Sequence, residues 1–543
     1  MLNEIKLIYE DIAVGAKESF DYDMSSEEDF SNANNLKETV GTLAPYGTVG
    51  EQNQTFLDGV QTLFHNDKTG VDIGTYSALL SGDDKTFDSP IILTVTSSNG
   101  NYTSQGFTLT FDDFTDTYPV NVNIKWYRTS TLLDEKDYVV NASQFYFENF
   151  VQNFNKVVFE FTDLNMPNNR LKINVFEFGV IRTYRNDELG NSIDLNNEIS
   201  QISENLFINT LDFKLVTKSN LQLLFQSKQP LKLYINDNFK GLFFVKEGKR
   251  VNEQKYKINA EDYIGIMDSV YFEGGIYTNK STSSLIDEIF TACNVPYQIN
   301  GDIPIATLTG YIGYTTCREA LKQVLFACGM VCNTAEKEYV EIFNIDTTTL
   351  SSYTEDDIIV GQSSSNEKNL TEVRVTEHFY KTGNETTTLY DASSSGTCTN
   401  KLITFDKPYH TLTITGGTIV RSGSNFAVIT VSSSTGTLTG KNYVETTTEY
   451  SVKNENINVN DLENIITIQD ATLVGIDNAE YVANKVYDYY LKEDVVTSKI
   501  VDLQEGLGKT IRIYNTYLGD KTGVIEAIKY NGSGNYVPEV KVR

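Results

Sequence analysis

A chain of 543 residues is too long for one hydrophobic core and leads us to expect about three or four domains. A hydrophobic content of 40% is enough to build real cores and excludes global disorder. The net charge of -29, from 44 Lys and Arg against 73 Asp and Glu, excludes stable binding to nucleic acid or an anionic membrane, because phosphate recognition needs clustered cations.

Tyr (33) and Phe (29) are abundant and accompany many Thr and Val residues, a composition that favours strands. The start, Met-Leu-Asn-Glu-Ile-Lys-Leu, lacks the charged entry and apolar core of a signal peptide, and no run of 18 apolar residues implies a membrane span. Five cysteines in so long a chain make no disulfide framework. Cys293, Cys317, Cys328 and Cys332 lie close in sequence but lack the paired C-x2-C spacing of zinc knuckles. They are expected to be buried thiols in a protein folded in a reducing cytoplasm.

Residues 1–75 suggest an extended arm. Leu7 to Ala16 has the makings of a short helix, and the acidic run from Asp23 to Asp29 reads as solvated. From Tyr76 the pattern becomes short strands at Ile91–Thr96, Phe107–Phe111, Val120–Tyr127, Val157–Phe161 and Leu171–Phe178. Polar turns separate them, and residues 76–189 are expected to form an antiparallel, jelly-roll-like sandwich. Many such sandwiches bind carbohydrate. Trp126 and Tyr127 are the candidates to stack on a sugar, although aromatics on strands are more often core. Asp83, Asp84 and Asp88 offer a calcium loop or, more simply, a solvated turn.

Residues 190–370 carry strands at Asn205–Leu215, Leu231–Ile235, Leu242–Val245 and Tyr256–Ala260, with a hairpin turn at Asp237-Asn238. Ser284 with Asp287 marks a helix start, and Leu285, Ile286, Ile289, Phe290 and Cys293 give that helix one apolar face. A second helix begins at the capping box Thr316–Glu319. Its stripe is Cys317, Leu321, Val324, Leu325 and Cys328, and Gly329 suits its C-terminal stop. A strand follows at residues 338–345, and Gln362–Lys368 reads as a Ser-rich loop. Residues 371–477 are a β-rich, Thr-rich middle domain. Residues 478–543 supply a helix capped by Asp477 and Glu480, then four closing strands with turns at Gly519-Asp520 and Asn531-Gly532.

No chemistry stands out along the chain. Motifs for metalloproteases, nucleophile elbows and phosphate loops are absent. His65, His378 and His410 are scattered, and a carboxylate pair for glycoside cleavage would have to be found by geometry. No catalytic, cofactor-binding or metal-binding residue is assigned.

From about residue 190 onward the order of features resembles phage tail hub and tail-tip proteins, in particular those of low-GC Gram-positive bacteria and their prophage-derived particles. The features are the Tyr234–Lys246 hairpin, Asn259-Ala-Glu-Asp-Tyr-Ile-Gly-Ile-Met-Asp and Tyr271-Phe-Glu-Gly-Gly-Ile-Tyr. The Leu285 helix, Leu308-Thr-Gly-Tyr-Ile-Gly, the Thr316-Cys-Arg-Glu-Ala-Leu helix and Tyr339-Val-Glu-Ile-Phe follow in that order. The pair Gly506–Gly519 and Gly523-Val-Ile-Glu looks like the closing barrel strands. The resemblance implies a mainly β, multi-domain homotrimer whose barrel-like domains join the tail tube to the spike or tip. Its implied partners are the tube, spike or tip, other baseplate proteins and the tape-measure protein. The implied location is a virion or phage-tail-like particle, assembled in the bacterial cytoplasm and released by lysis. Many relatives carry a wall hydrolase further along. The absence of one before Arg543 sets the expectation of a structural protein rather than an enzyme. The alternatives are a cell-surface glycan binder acting through the sandwich, or a peptidoglycan hydrolase.

Overall fold

The computed structural model describes residues 4–12, 16–28, 31–37, 74–97, 100–112, 115–189, 193–216, 230–252, 254–457, 463–531 and 537–543. The protein is mainly β with a few short helices. It divides into two compact units. One comprises Ile8–Tyr184 with Gln222–Pro230, and the other comprises Met1–Leu7, Arg185–Leu221 and Leu231–Arg543.

The chain opens as a strand, Ile5–Ile12, rather than the helix expected over Leu7–Ala16. Ile5, Leu7 and Tyr9 are buried at alternate positions, a period of two that a helix cannot place on one face. Among the described residues of this stretch, the helix is the single turn Ala16–Ser19.

The first unit is the expected antiparallel sandwich. One sheet runs in the order Phe20–Met24, Thr86–Ser97, Lys156–Asp163, Asn121–Arg128, Thr131–Val139. The other runs Thr75–Leu80, Arg170–Glu177, Tyr102–Phe111, Gln144–Phe154. Phe20–Met24 therefore belongs to a sheet and not to an arm. Phe20, Tyr22 and Met24 face the sandwich core while Asp21 and Asp23 face out. Alternation also aims Ile91, Leu93 and Val95, and Val157, Phe159 and Phe161, into the same core. Each such side chain removed from water contributes about 1.5–3 kcal/mol before entropy is counted.

In the second unit the strands form one long sheet. From Pro230–Ile235 it continues through Asn238–Arg250, Lys255–Glu261, Thr210–Val216, Ile193–Glu198, Lys521–Asn531, Glu539–Val542 and Asp494–Ile500 to Ile358–Asn366. The strands of residues 190–370 and the closing barrel strands thus share a single sheet, joined where Ile193–Glu198 pairs antiparallel with Lys521–Asn531. The hairpin turn sits at Asn236-Asp237, one residue earlier than expected, because both residues take positive φ (51° and 59°). That is the backbone of a type I′ turn. The Thr210–Val216 strand begins five residues after Asn205, where the expected strand began. Gln362–Asn366 is not loop: Ile358–Asn366 is the sheet's last strand, and among the described residues the strand it pairs with is Asp494–Ile500.

Four helices fill this unit's core: Tyr263–Asp268, Thr282–Cys293, Cys317–Cys328 and Ala479–Tyr490. Cys317–Cys328 packs against the other three and buries eight of its residues. Between the core strands the chain puts out a long ribbon, Glu372–Asp391 against Thr437–Lys453. At the far end of the ribbon, Cys398–Thr404, Phe426–Val431 and Gly417–Ser422 form a three-stranded sheet over a small core of Tyr390, Phe405, Ile429, Val431 and Leu438.

Candidate functional site

The Cys317–Cys328 helix starts as its sequence predicts. Thr316 Oγ1 accepts a hydrogen bond from the Glu319 N–H at 3.2 Å. Only half of the capping box forms, because the Glu319 carboxylate pairs instead with Lys322 at 2.6 Å. Gly329 ends the helix at φ 74°, and a Cβ there would lie 2.4 Å from the Tyr481 ring. Both the left-handed backbone and the close approach require glycine. The next helix to pack here, Ala479–Tyr490, is not capped by Asp477. Asn478 occupies that position, and its side-chain amide donates to the carbonyls of Ala327 (3.0 Å) and Leu473 (3.2 Å). A residue placed for one helix start thus ties down the end of another. Likewise Ser281, not Ser284, caps Thr282–Cys293 by accepting from the Ser284 N–H.

Beside this bundle lies a buried polar chain. The Glu198 N–H donates to Asn209 Oδ1 (2.8 Å), Asn209 Nδ2 donates to Thr334 Oγ1 (2.8 Å), and the Thr334 hydroxyl donates to Asp262 Oδ2 (2.5 Å). Asp262 Oδ1 accepts from the N–H groups of Ile264 (3.0 Å) and Gly265 (3.2 Å), capping Tyr263–Asp268. The chain connects the strand that pairs with Lys521–Asn531 to the helical core through three side chains. Burial pushes the Asp262 carboxyl up to about 7, against the pull of its hydrogen bonds. The only sequence signal for this site is Asp262 standing immediately before an apolar helix start.

The thiols are packed as small hydrophobes. Cys293, Cys317, Cys328 and Cys332 are all buried and take part in no disulfide. The hydrogen bond to Cys293, followed by burial, raises Cys317, while burial pushes Cys328 up to about 11 and Cys332 to about 12. None is poised as a nucleophile or metal ligand. Among the described residues, no three His, Cys, Asp or Glu side chains gather closely enough to hold a metal. Asp84 accepts from the Thr86 N–H (3.0 Å) and hydroxyl (2.8 Å), and Asp83 accepts from Asn168 (3.0 Å), as in an ordinary turn. His378 has both ring nitrogens engaged, by Glu445 Oε1 (2.7 Å) and the Gln469 carbonyl (2.9 Å). His410 is held by Thr411 (2.9 Å) and the Gly383 carbonyl (3.0 Å). His65 lies outside the described residues, as does Gly532 of the last expected turn.

Trp126 is fully buried and stacks on Phe107 of the facing sheet, with ring centroids 6.1 Å apart. It is therefore a core residue and not a sugar platform. Tyr127 is half-buried, with Lys156 Nζ over its ring at 5.3 Å. The sandwich core also holds an ion pair, Lys172 with Asp112 at 3.9 Å, both side chains almost wholly buried.

No protein-family profile matches the chain, and no curated protein matches it. Three tail proteins are among the solved structures that align with part of it. The 43 kDa tail protein of prophage MuSo2 from Shewanella oneidensis has 9% identity, a TM-score of 0.41, and covers 67% of this chain and 94% of its own. The tail protein from Neisseria meningitidis MC58 has 8% identity and a TM-score of 0.43, over 67% of this chain and 93% of its own. The prophage tail protein gp18 from Listeria monocytogenes EGD-e has 11% identity and a TM-score of 0.39, over 66% and 90%.

Proposed function

We propose that this protein is the structural hub of a phage or phage-tail-like baseplate, a homotrimer that joins the tail tube to the spike or tip. The observation that carries the reading is the single sheet in which Ile193–Glu198 pairs with Lys521–Asn531. The features whose order resembles the hub family, the Tyr234–Lys246 hairpin, the capped Cys317–Cys328 helix and the closing strands, lie in one compact unit, its two strand sets joined by that pairing. Its interior is spent on packing: the thiols, His378 and the Asp262 chain all hold elements together. The acidic surface suits a part that must stay soluble before assembly and that DNA would slide past without sticking.

Sedimentation equilibrium of the purified chain, alone and with the tube protein of the same particle, tests the proposal. The expected result is a trimer that binds the end of assembled tube. A monomer that ignores tube at every concentration would overturn it, and release of muropeptides from purified cell wall would move the protein to the enzyme class.

A further inference from the structure

His378 lies on the ribbon strand Glu372–Asp391, just past the point where the short parallel strand beside it, Ile465–Ile468, ends. From there a linker, residues 469–478, leads into the helix Ala479–Tyr490. The His378 backbone N–H donates to the Val474 carbonyl (2.8 Å). Its ring, 7% exposed, reaches the ribbon's other strand and the linker at once. Nδ1 lies 2.7 Å from Glu445 Oε1, and Nε2 lies 2.9 Å from the Gln469 carbonyl. The linker is also bonded to Thr307–Ile312: the Tyr311 N–H donates to the Thr472 carbonyl (3.1 Å), and the Thr472 hydroxyl donates to the Tyr311 carbonyl (2.5 Å).

Both neighbours of the ring are acceptors. A backbone carbonyl never donates, so Nε2 must carry a hydrogen. Glu445 Oε1 also accepts from the Tyr380 hydroxyl (2.7 Å). Burial pushes the Glu445 carboxyl up, but the hydrogen bonds from Tyr380 and His378 outweigh it and hold the group below the usual carboxylate range. Oε1 is thus a carboxylate oxygen, and Nδ1 must carry a hydrogen too. A neutral imidazole has one N–H, and only the imidazolium has two. Turning the ring over would set carbon atoms against both oxygens and satisfy neither. The charged groups around the ring are Glu445 with Lys407 beyond it, Glu449 beside Arg374 (3.9 Å), and Asp470 and Asp477 in the linker. Tyr380 stacks on the ring, and Tyr311 packs against Tyr380.

We propose that His378 is a proton-operated clasp: as an imidazolium it ties the two ribbon strands to the linker, and on losing a proton it lets the linker go. The carboxylate, being charged, keeps the remaining proton, so Nε2 then turns a lone pair on the Gln469 carbonyl. Two acceptors cannot share that contact, and they separate. The backbone bonds to Val474 and Thr472 remain, so the release is local and reversible. The linker ends at Asn478, whose amide donates to the Ala327 carbonyl at the end of the Cys317–Cys328 helix. One proton on one ring therefore bears on how firmly the ribbon is joined to the helical core. The hub reading stands or falls separately.

The chain has three histidines, so magnetic resonance of the full chain with 15N-labelled imidazoles reads the ring directly, His378 being assigned by its loss in His378→Gln. Over about pH 5 to 9, the ring should carry hydrogen on both nitrogens at the acid end and lose one towards the alkaline end. In Glu445→Gln that loss should move to lower pH. Hydrogen exchange, corrected for the intrinsic effect of pH, should quicken about tenfold across residues 465–474 as the wild-type ring loses its proton. His378→Gln should show the faster rate at every pH, while the Cys317–Cys328 helix stays protected in both proteins. A ring that keeps one protonation state over the whole range overturns the proposal, and so does linker exchange that runs parallel in wild type and variant. Thermal melts check that the variants fold; where His378→Gln does not, the wild-type titration and exchange profiles decide alone.

Discussion

The Asp262 carboxyl caps a helix from inside the protein, where its charge has little solvent to stabilise it. Its folded-state value of about 7 lies above the ordinary 3.8, so between these values the folded chain keeps a proton that the unfolded chain has lost. Stability from this group is therefore full below about pH 4 and is lost as pH rises towards 7. Urea unfolding of wild type and Asp262→Asn across pH 4–8 should show the gap between them changing by on the order of 1 kcal/mol per pH unit inside that window, and flat above it. Parallel profiles would discard the idea. In the helical core, Leu325→Ala should cost about 2–5 kcal/mol and Leu325→Asp should prevent folding, since a charge would be buried with no partner. Cys328→Ala should cost only on the order of 1 kcal/mol and leave assembly intact, which the same melts would show. In the sandwich, Asp112→Ala removes the buried carboxylate that faces the Lys172 ammonium and should cost about 3–5 kcal/mol. The paired change Asp112→Ala with Lys172→Met should recover much of that loss.

At the scale of elements, the ribbon's terminal sheet is pinned by Asn425. Its amide donates to the carbonyls of Glu273 (2.7 Å) and Ile312 (3.0 Å), and the neighbouring Ser424 hydroxyl accepts from the Ile276 N–H (3.2 Å). Asn425→Ala leaves two carbonyls unsatisfied, at about 1–3 kcal/mol. Hydrogen exchange should then quicken across Cys398–Val431 while the Cys317–Cys328 helix stays protected; uniform loss of protection would mean that the ribbon tip is not a separate cooperative piece. Apolar periodicity made most of these elements legible in the sequence. The helix faces of Leu285–Cys293 and Cys317–Cys328 and the strands Ile91–Thr96 and Val157–Phe161 stand where their spacing put them. The errors have local causes. Ile358–Asn366 was hidden because an edge strand exposed on both faces shows no alternation, only serines that resemble a loop. Caps at Ser281 and Asn478 were misplaced by three residues and one residue because several Ser, Asn and Asp residues compete for a start, and tertiary bonds decide among them. The Asp262–Thr334–Asn209 chain was illegible for a different reason, since it joins three separate parts of the sequence that only the fold brings together.

For the whole molecule, the net charge of -29 opposes the self-association that the proposed hub requires. Repulsion between acidic copies is long-range and screened by salt, whereas apolar contact is short-range and is not. Self-association measured by sedimentation should therefore strengthen between about 20 mM and 500 mM sodium chloride, the range over which the screening length falls several-fold. Weakening over that range would mean that ion pairs hold the copies together.

The joint between Ile193–Glu198 and Lys521–Asn531 also sets a timetable for the chain's birth. Gln201 Nε2 donates to Glu526 Oε1 across 325 residues of sequence. A ribosome adding roughly 5–20 residues per second therefore leaves the earlier strand without that neighbour for about 15–65 s. Throughout that interval one half of the long sheet is a nascent edge in a crowded cell, while the two sandwich sheets, whose strands all end by Glu177, are free to form early. Nascent-chain quality control should thus bear most heavily on truncated products ending between these two strands, a window set by the topology of a single strand pair.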